Sequence, residues 1–262
     1  MLHTHLFGPD DGPAVLALHG LTGHGRRWES LQREQLPQAR VIAPDLLGHG
    51  RSPWTPPWGL ADHAAAVGQV LDAQSRPDEP VVIVAHSFGA LVALTLAHDR
   101  PDRIDALVLL DPAQGLDPEH AGAMAEATVA HWGYPDPAAA AAAKRAEGWG
   151  AVPEAVLAAE IDEHLVAGPD RHMWRVCVPA TSVAWSEMAR PPLLPPAGVP
   201  TDIVVADRVQ PPFLSADFLS AAAQLPSVRV HHVDTEHMVP LLAPERCGEL
   251  VRAALTAAAA RS

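Results

Sequence analysis

The chain has 262 residues, of which 48% are apolar, and its formal net charge is −13. This length suits one large α/β domain, or such a domain with an inserted subdomain, and the apolar content is enough for a sizeable core. The acidic excess disfavours nucleic acid and anionic membrane surfaces as partners, because both attract Lys and Arg. The composition leaves the oligomeric state open.

The N-terminal residues and the cysteines bear on location. Residues 1–5 have neither the basic nor the apolar stretch of a signal peptide. No apolar run in the sequence is long enough to span a bilayer. Cys177 and Cys247 lack metal-ligand spacing and suggest no disulfide framework, so a cytoplasmic location is expected. Abundant Ala, Pro and Arg are typical of a bacterium with a GC-rich genome.

Short apolar segments alternate with helical ones along most of the chain. The predicted strands are 14–18, 40–43, 81–85, 106–110, 202–205 and 228–233. The predicted helices are 60–74, 88–98, which stops before a proline, and 244–260. The near-continuous apolarity of the strands fits a parallel sheet covered on both faces. The alternation predicts an α/β fold with a doubly wound, mostly parallel sheet.

The segment 112–196 breaks this pattern. It contains no convincing strand, and Ala-rich helical sequence dominates it. Ordinary surface helices are one interpretation, but the strands resume afterwards, which favours a helical cap inserted into a core made of 1–111 and 197–262. Aromatic and Met side chains in the segment suit a pocket roof or the cap's own core. They are Met124, Trp132, Tyr134, Trp149, Met173, Trp174, Trp185 and Met188.

An apolar strand, a serine and a helix follow one another between Val81 and Ala90. Ser87 lies two residues after Ala85 and two before Gly89. Such a turn lifts a nucleophilic serine out of the sheet, small neighbours permit close approach, and the free N–H groups of the helix favour negative charge. The usual motif has Gly where Ala85 stands, and a buried serine that only caps the helix is the alternative. We predict that Ser87 is a nucleophile.

Two further loops follow predicted strands. His19-Gly20 follows the first, and the second ends in Asp-Leu-Leu-Gly-His-Gly-Arg-Ser at 45–52. Together with His86-Ser87-Phe88-Gly89, and in this order, these motifs resemble the α/β-hydrolase superfamily. The resemblance is close over 19–111 and returns from 237 to the C-terminus. It implies a serine hydrolase similar to esterases and lactonases, in which 45–52 is a structural turn.

In that superfamily two backbone N–H groups hold the oxygen that becomes negative in the transition state. The resemblance assigns them to Leu21, after His-Gly, and to Phe88, after the nucleophile. Each such donor is typically worth about 3–4 kcal/mol. The resemblance implies no metal and no organic cofactor. Epoxide hydrolases and dehalogenases of this fold need Asp at the position of Ser87, which argues against both.

His237 stands out among 15 histidines by its position. It follows the last predicted strand and precedes the final helix, where the superfamily keeps its base. A neutral imidazole there can take the serine proton and return it to the leaving group. His49 has no expected catalytic role. His3 and His5 could share a face, but two histidines without a third ligand are a weak metal signal.

The acid that orients His237 is less clearly marked. The usual slot, after the strand at 202–205, holds Val209, while Asp207 lies two residues earlier. A second slot known from haloalkane dehalogenases and some lactonases is the end of the strand after the nucleophile, where this chain has Asp111. Asp111 is the favoured acid, and Asp207 is the alternative.

The expected function is hydrolysis of a carboxylic ester, thioester or lactone of a small to medium apolar molecule, through an acyl-enzyme at Ser87. The same scaffold also serves acyltransferases, cyclases and C–C hydrolases, and nothing in these residues separates them. A receptor that retains the triad without turnover is an alternative from another class. The expected partner is a small-molecule substrate.

Overall fold

The computed structural model describes residues 1–261, and a mainly parallel sheet forms its centre. The strands are β1 (Thr4–Phe7), β2 (Ala14–Leu18), β3 (Arg40–Pro44), β4 (Val81–His86), β5 (Ala106–Leu110), β6 (Gly133–Tyr134), β7 (Leu165–Ala167), β8 (His172–Trp174), β9 (Thr201–Ala206) and β10 (Val228–Val233). Seven of them form one sheet in the order β1-β3-β2-β4-β5-β9-β10. All pairs in it are parallel except β1 with β3. The predicted doubly wound, mostly parallel sheet is confirmed.

Helices cover both faces of this sheet. They are α1 (Glu29–Gln35), α2 (Leu60–Gln74), α3 (Phe88–Asp99), α4 (Pro118–Ala130), α5 (Pro137–Lys144), α6 (Glu154–His164), α7 (Val178–Met188), α8 (Ala216–Ala223), α9 (Val239–Leu242) and α10 (Pro244–Ala259). Because side chains alternate along a strand, Leu16 packs in the layer of α2 and α3, and Val15 packs in the layer of α1 and α10. Within residues 1–261, no helix is long and apolar enough to cross a membrane.

Strand register brings three loops together at one edge of the sheet. Leu18 of β2 lies opposite Ala85 of β4, and His86 lies opposite Leu110 of β5. Parallel strands end on the same side, so the residues that follow β2, β4 and β5 are neighbours in space. This edge, outside the carboxyl ends of the strands, is where open α/β sheets bind ligands.

β1 was not predicted from the sequence. It is a four-residue edge strand that pairs antiparallel with β3, from Thr4 opposite Pro44 to Phe7 opposite Val41. Its residues are partly exposed, with Leu6 52% accessible. An edge strand needs only one partner and one covered face, so it lacks the continuous apolarity that marked the other strands.

The segment 112–196 lies between β5 and β9 and contains α4 to α7. β5 pairs directly with β9, so the segment adds no strand to the main sheet. The expectation of no strand in the segment is wrong, however, because β6, β8 and β7 form a small antiparallel sheet of their own. These strands have only two or three residues, which is too short for an alternating pattern to be seen.

Asp45 ties the loops after β2 and β3 together. Its buried carboxylate accepts hydrogen bonds from Gly25 N at 2.7 Å and Arg51 N at 2.8 Å. Gly50 has a φ of 53°, and a Cβ there would lie 2.1 Å from Asp45 Oδ2, so glycine is required. Burial alone would raise the pKa of Asp45, but the nearby His5 ring and hydrogen bonds from the backbone outweigh it and hold this pKa below its usual value.

Three histidines that were noted in the sequence lie near this turn. His49 is buried and bonds through Nδ1 to Leu47 O at 2.8 Å, as expected of a residue that supports the loop. His3 and His5 do gain a third potential ligand, because Asp45 brings a carboxylate oxygen within 4.8 Å of their ring nitrogens. The sequence did not reveal it because Asp45 comes from the neighbouring strand end, about 40 residues away.

We expect Asp45→Ala to lower the free energy of unfolding by about 2–4 kcal/mol, because it leaves two backbone N–H groups without their acceptor. Guanidinium titration followed by circular dichroism measures the change. Asp78→Ala, at an exposed position, is the control and should stay within about 0.5 kcal/mol of the wild type. Equal stability of the two variants would contradict the role given to Asp45.

Candidate active site

Ser87 lies at a sharp turn between β4 and α3. Its backbone has φ 55° and ψ −123°, a conformation that is uncommon for any residue other than glycine. Ser87 N donates to Leu110 O at 3.1 Å, which anchors the turn to the next strand. The Ser87 side chain makes no capping hydrogen bond to α3, so the helix-cap interpretation does not account for it.

Two glycines let the chain close around this turn. A Cβ on Gly20 would lie 2.9 Å from Ser87 Cβ and 2.8 Å from His86 Nδ1. A Cβ on Gly89 would lie 2.4 Å from His19 O and 2.7 Å from Leu18 O. The loop after β2 therefore packs directly on the serine turn, and any larger residue would push the two apart.

His237 and Asp111 come together beside the turn, although they are 126 residues apart. His237 Nδ1 lies 2.5 Å from Asp111 Oδ2, and Asp111 Oδ1 accepts a hydrogen bond from Ala206 N at 3.1 Å. Asp111 is 2% exposed and has a φ of 42°. With Nδ1 held by the carboxylate, Nε2 is the imidazole nitrogen left for a reaction.

Asp207, the alternative acid, lies elsewhere. Its Oδ1 is 2.7 Å from Nδ1 of His232, and both side chains are about half exposed to solvent. It therefore contacts a different histidine on the outer part of the sheet. Of the two candidate acids, Asp111 contacts His237, whereas Asp207 contacts His232.

Ser87 and His237 line one cavity of about 290 Å³. Among residues 1–261 no hydrogen bond joins the two side chains. Such bonds are often long before a substrate binds. The His237 ring lies between Phe213, with centroids 4.5 Å apart, and His86, with centroids 4.6 Å apart.

His86 supports the loop that carries His237. Its Nε2 donates to His237 O at 2.8 Å. Burial, with a smaller contribution from His237, holds the pKa of His86 well below its usual value, so this ring is neutral near pH 7. In the sequence His86 is part of the serine motif, but no role of its own was predicted for it. Its role depends on a partner 151 residues away, which no local pattern signals.

Leu21 and Phe88 carry the two backbone N–H groups that the resemblance assigns to the oxyanion. Leu21 lies in the loop after β2, and Phe88 is the first residue of α3. In the described part of the chain, neither backbone N–H donates a hydrogen bond to another residue. Both donors are therefore free for an acceptor from outside the chain.

The rest of the cavity wall comes mostly from the segment 112–196. Of the eight aromatic and Met residues noted in the sequence, all but Met173 line it. Charged residues line it as well, and the sequence did not single them out: Arg27, Lys144 and Glu147. The cavity thus combines a largely aromatic wall with a few polar groups, which is typical of small-molecule sites.

Comparison with known proteins decides the family. Residues 13–244 match the family model described as the alpha/beta hydrolase fold. The chain belongs to the α/β-hydrolase family. This α/β hydrolase is 44% identical to lipase LipV of Mycobacterium tuberculosis strain H37Rv over 257 residues, which is 97% of each chain.

Solved structures agree on the fold. E-2-(acetamidomethylene)succinate hydrolase has a TM-score of 0.82 and 21% identity, over 97% of this chain and 95% of that one. The thioesterase domain from the curacin biosynthetic pathway has a TM-score of 0.78 and 20% identity, over 95% and 94%. The family match and the LipV relative show that the protein is a hydrolase enzyme of the lipase and esterase type.

In this α/β hydrolase we expect Gly89→Ala to lower the free energy of unfolding by about 1–3 kcal/mol, because the new methyl group meets backbone oxygens that cannot rotate away. Urea titration measures the change. Gly122→Ala in α4 is the matched control, since a Cβ there meets nothing within 4 Å. It should be neutral or stabilising by up to about 1 kcal/mol. A fully stable Gly89→Ala protein would refute the close approach.

Proposed function

We propose that this α/β hydrolase cleaves carboxylic esters, thioesters or lactones through an acyl-enzyme at Ser87. The observation that best supports the proposal is one cavity lined by both Ser87 and His237, with Asp111 2.5 Å from the far nitrogen of that histidine. A nucleophile, a base and a group that orients the base are the components of serine hydrolysis.

In the proposed reaction His237 Nε2 accepts the proton of Ser87 Oγ as that oxygen attacks the substrate carbonyl. Asp111 keeps the other proton on Nδ1 and stabilises the imidazolium that forms. The tetrahedral intermediate then expels the alcohol or thiol, which takes the proton from His237. Water, activated by the same histidine, attacks the acyl-enzyme and releases the acid.

The negative oxygen of the intermediate would be held by the backbone N–H groups of Leu21 and Phe88. Neither has an acceptor within residues 1–261, and Phe88 is the first residue of α3, whose N-terminus favours negative charge. Preorganised donors of this kind act only on charge that develops in the transition state. They are therefore expected to raise the rate more than they improve substrate binding.

The segment 112–196 is proposed to act as a cap over this site. Seven of its aromatic and Met side chains line the cavity with Ser87. At about 290 Å³ the cavity is at the small end of the range for ligand pockets. These features favour a small to medium substrate with an apolar portion.

A fluorophosphonate probe should label Ser87, because it reacts with an activated serine. Mass-spectrometric mapping of the adduct identifies the site. Ser87→Ala should lose labelling and lower kcat for a p-nitrophenyl ester by at least about 10³-fold. Ser186→Ala, at an exposed position in α7, is the control and should keep both. An adduct on another serine would refute the assignment.

Asp111→Asn should lower kcat by about 10⁴-fold while the protein stays folded. The amide oxygen can still accept from Ala206 N, but its NH₂ group would face Nδ1 and stabilise the wrong tautomer. Steady-state kinetics and thermal melting test this together. Asp207→Asn is the matched variant and should keep kcat within about two-fold, since Asp207 contacts His232. The reverse result would give the role to Asp207.

A further inference from the structure

The cavity that contains Ser87 also carries positive charge. Arg27 lies in the short helical turn Gly25–Trp28, and Lys144 is the last residue of α5. Both line the cavity, and Lys144 is 2% exposed. Lys144 is also the sole lysine of the chain, and it places a positive charge in the cavity of a protein whose net charge is −13.

One buried carboxylate, that of Glu160, lies beside these two cations and can neutralise only one of them. Glu160 of α6 is buried, and its Oε1 and Oε2 accept from Arg27 at 2.5 and 3.0 Å. Glu160 Oε2 also lies 3.0 Å from His24 Nε2. Lys144 Nζ lies 3.6 Å from Glu160 Oε1, beyond ordinary hydrogen-bond distance. Two cations therefore share one carboxylate, whose oxygens are already taken up by other donors.

Aromatic rings position the Lys144 ammonium. Nζ lies 4.2 Å from the ring centroid of Trp174 and 5.1 Å from that of Trp149, and both rings line the same cavity. Contact with the ring faces is favourable for a cation, but it provides no hydrogen-bond acceptor. Among residues 1–261 no side chain accepts a hydrogen bond from Lys144 Nζ at ordinary distance, so the ammonium can still donate to a ligand.

Lys144 is charged near neutral pH, as binding of an anion requires. Burial lowers the pKa of Lys144 to about 8, with Glu160 and Arg27 acting in opposite directions, so the ammonium is still mostly protonated at pH 7. Glu147 also faces the cavity, but it is exposed, where water screens its charge. Burial keeps the nearby His164 neutral, since it holds its pKa well below the usual value.

We propose that the cavity binds esters whose acyl chain ends in a carboxylate, which pairs with Lys144 while Ser87 attacks the ester carbonyl. This inference rests on the proposed function and names its substrate class. Within the group of Arg27, Lys144 and Glu160 one positive charge is in excess, which suits a carboxylate better than a dianionic phosphate. The acyl part is the part that stays on Ser87 through both steps, so an enclosed cation holds it throughout the reaction.

Chain-matched esters test the proposal. Monoethyl succinate, glutarate and adipate are compared with ethyl esters of the monocarboxylic acids of equal chain length, by pH-stat at pH 7. We expect kcat/KM for at least one hemiester to exceed that of its neutral partner by about 10-fold or more. The hemiester with the highest ratio indicates which chain length fits the distance between the ester carbonyl at Ser87 and Lys144.

Two substitutions at Lys144 separate charge from packing. Lys144→Met should lower the ratio of hemiester to neutral-ester kcat/KM by roughly 10- to 100-fold, mainly through KM, because a charged hydrogen bond is lost. Lys144→Arg should keep most of the ratio. Arg33→Met removes an exposed cation outside the cavity and should leave the ratio unchanged. Thermal melting identifies a variant that fails to fold.

The outcomes separate this inference from the proposed function. If esters are cleaved without preference for the hemiester, or if Lys144→Met keeps the preference, the carboxylate site is refuted and the esterase activity stands. If no ester is cleaved, calorimetry with adipate, glutarate and succinate decides. Binding that Lys144→Met weakens at least about 10-fold would support the site, and absence of binding would refute it.

Discussion

The left-handed backbone at Ser87 is the constraint on which the site depends. A residue other than glycine in such a conformation costs about 1–3 kcal/mol and persists only where the surroundings enforce it. Here the hydrogen bond to Leu110 and the packing of the β2 loop against Gly89 enforce it. Asp111, at the end of the neighbouring strand, also has a positive φ. The two strands therefore end in strained turns side by side.

The sheet beneath these two turns offsets the free-energy cost of their strained backbone. The strands that lead into both turns are fully buried, and each buried aliphatic side chain contributes about 1.5–3 kcal/mol. A few such residues offset the cost of both turns. The core and the site are thus linked: the apolar strands that made the fold recognisable are also what holds Ser87 and Asp111 in conformations that they would not otherwise adopt.

Acid and histidine pairs alone do not define the site. Three such pairs lie in or just after β5, β9 and β10: Asp202 with His231 at 2.6 Å, Asp207 with His232 at 2.7 Å, and Asp111 with His237 at 2.5 Å. The first also binds Arg229, and the second is exposed to water. The third combines a buried carboxylate with a ring that opens into the cavity. Chemistry at this site depends on burial and access as much as on distance.

Features that depend on neighbouring residues could be predicted from the sequence, whereas features that depend on residues far away in the chain could not. Strands 14–18 and 228–233 and helix 60–74 were predicted at their observed bounds, because apolar residues in a continuous run, in alternation or along one helix face leave a local pattern. β1 and the small sheet of β6 to β8 escaped because their strands are short or half exposed. The residues His86, Arg27 and Glu160 escaped for another reason, since their partners lie more than 130 residues away.

The Arg27, Lys144 and Glu160 group shows why net charge is a poor guide to a site. The charge of −13 is mostly carried by exposed side chains, where water and salt weaken it within about 8 Å at physiological ionic strength. A cation enclosed beside two tryptophans is screened far less. An anionic substrate therefore meets weak repulsion on approach and a strong local attraction once inside. Repulsion by the overall acidity grows with the charge of the ligand, so it weighs little against a small carboxylate that fits a cavity of about 290 Å³.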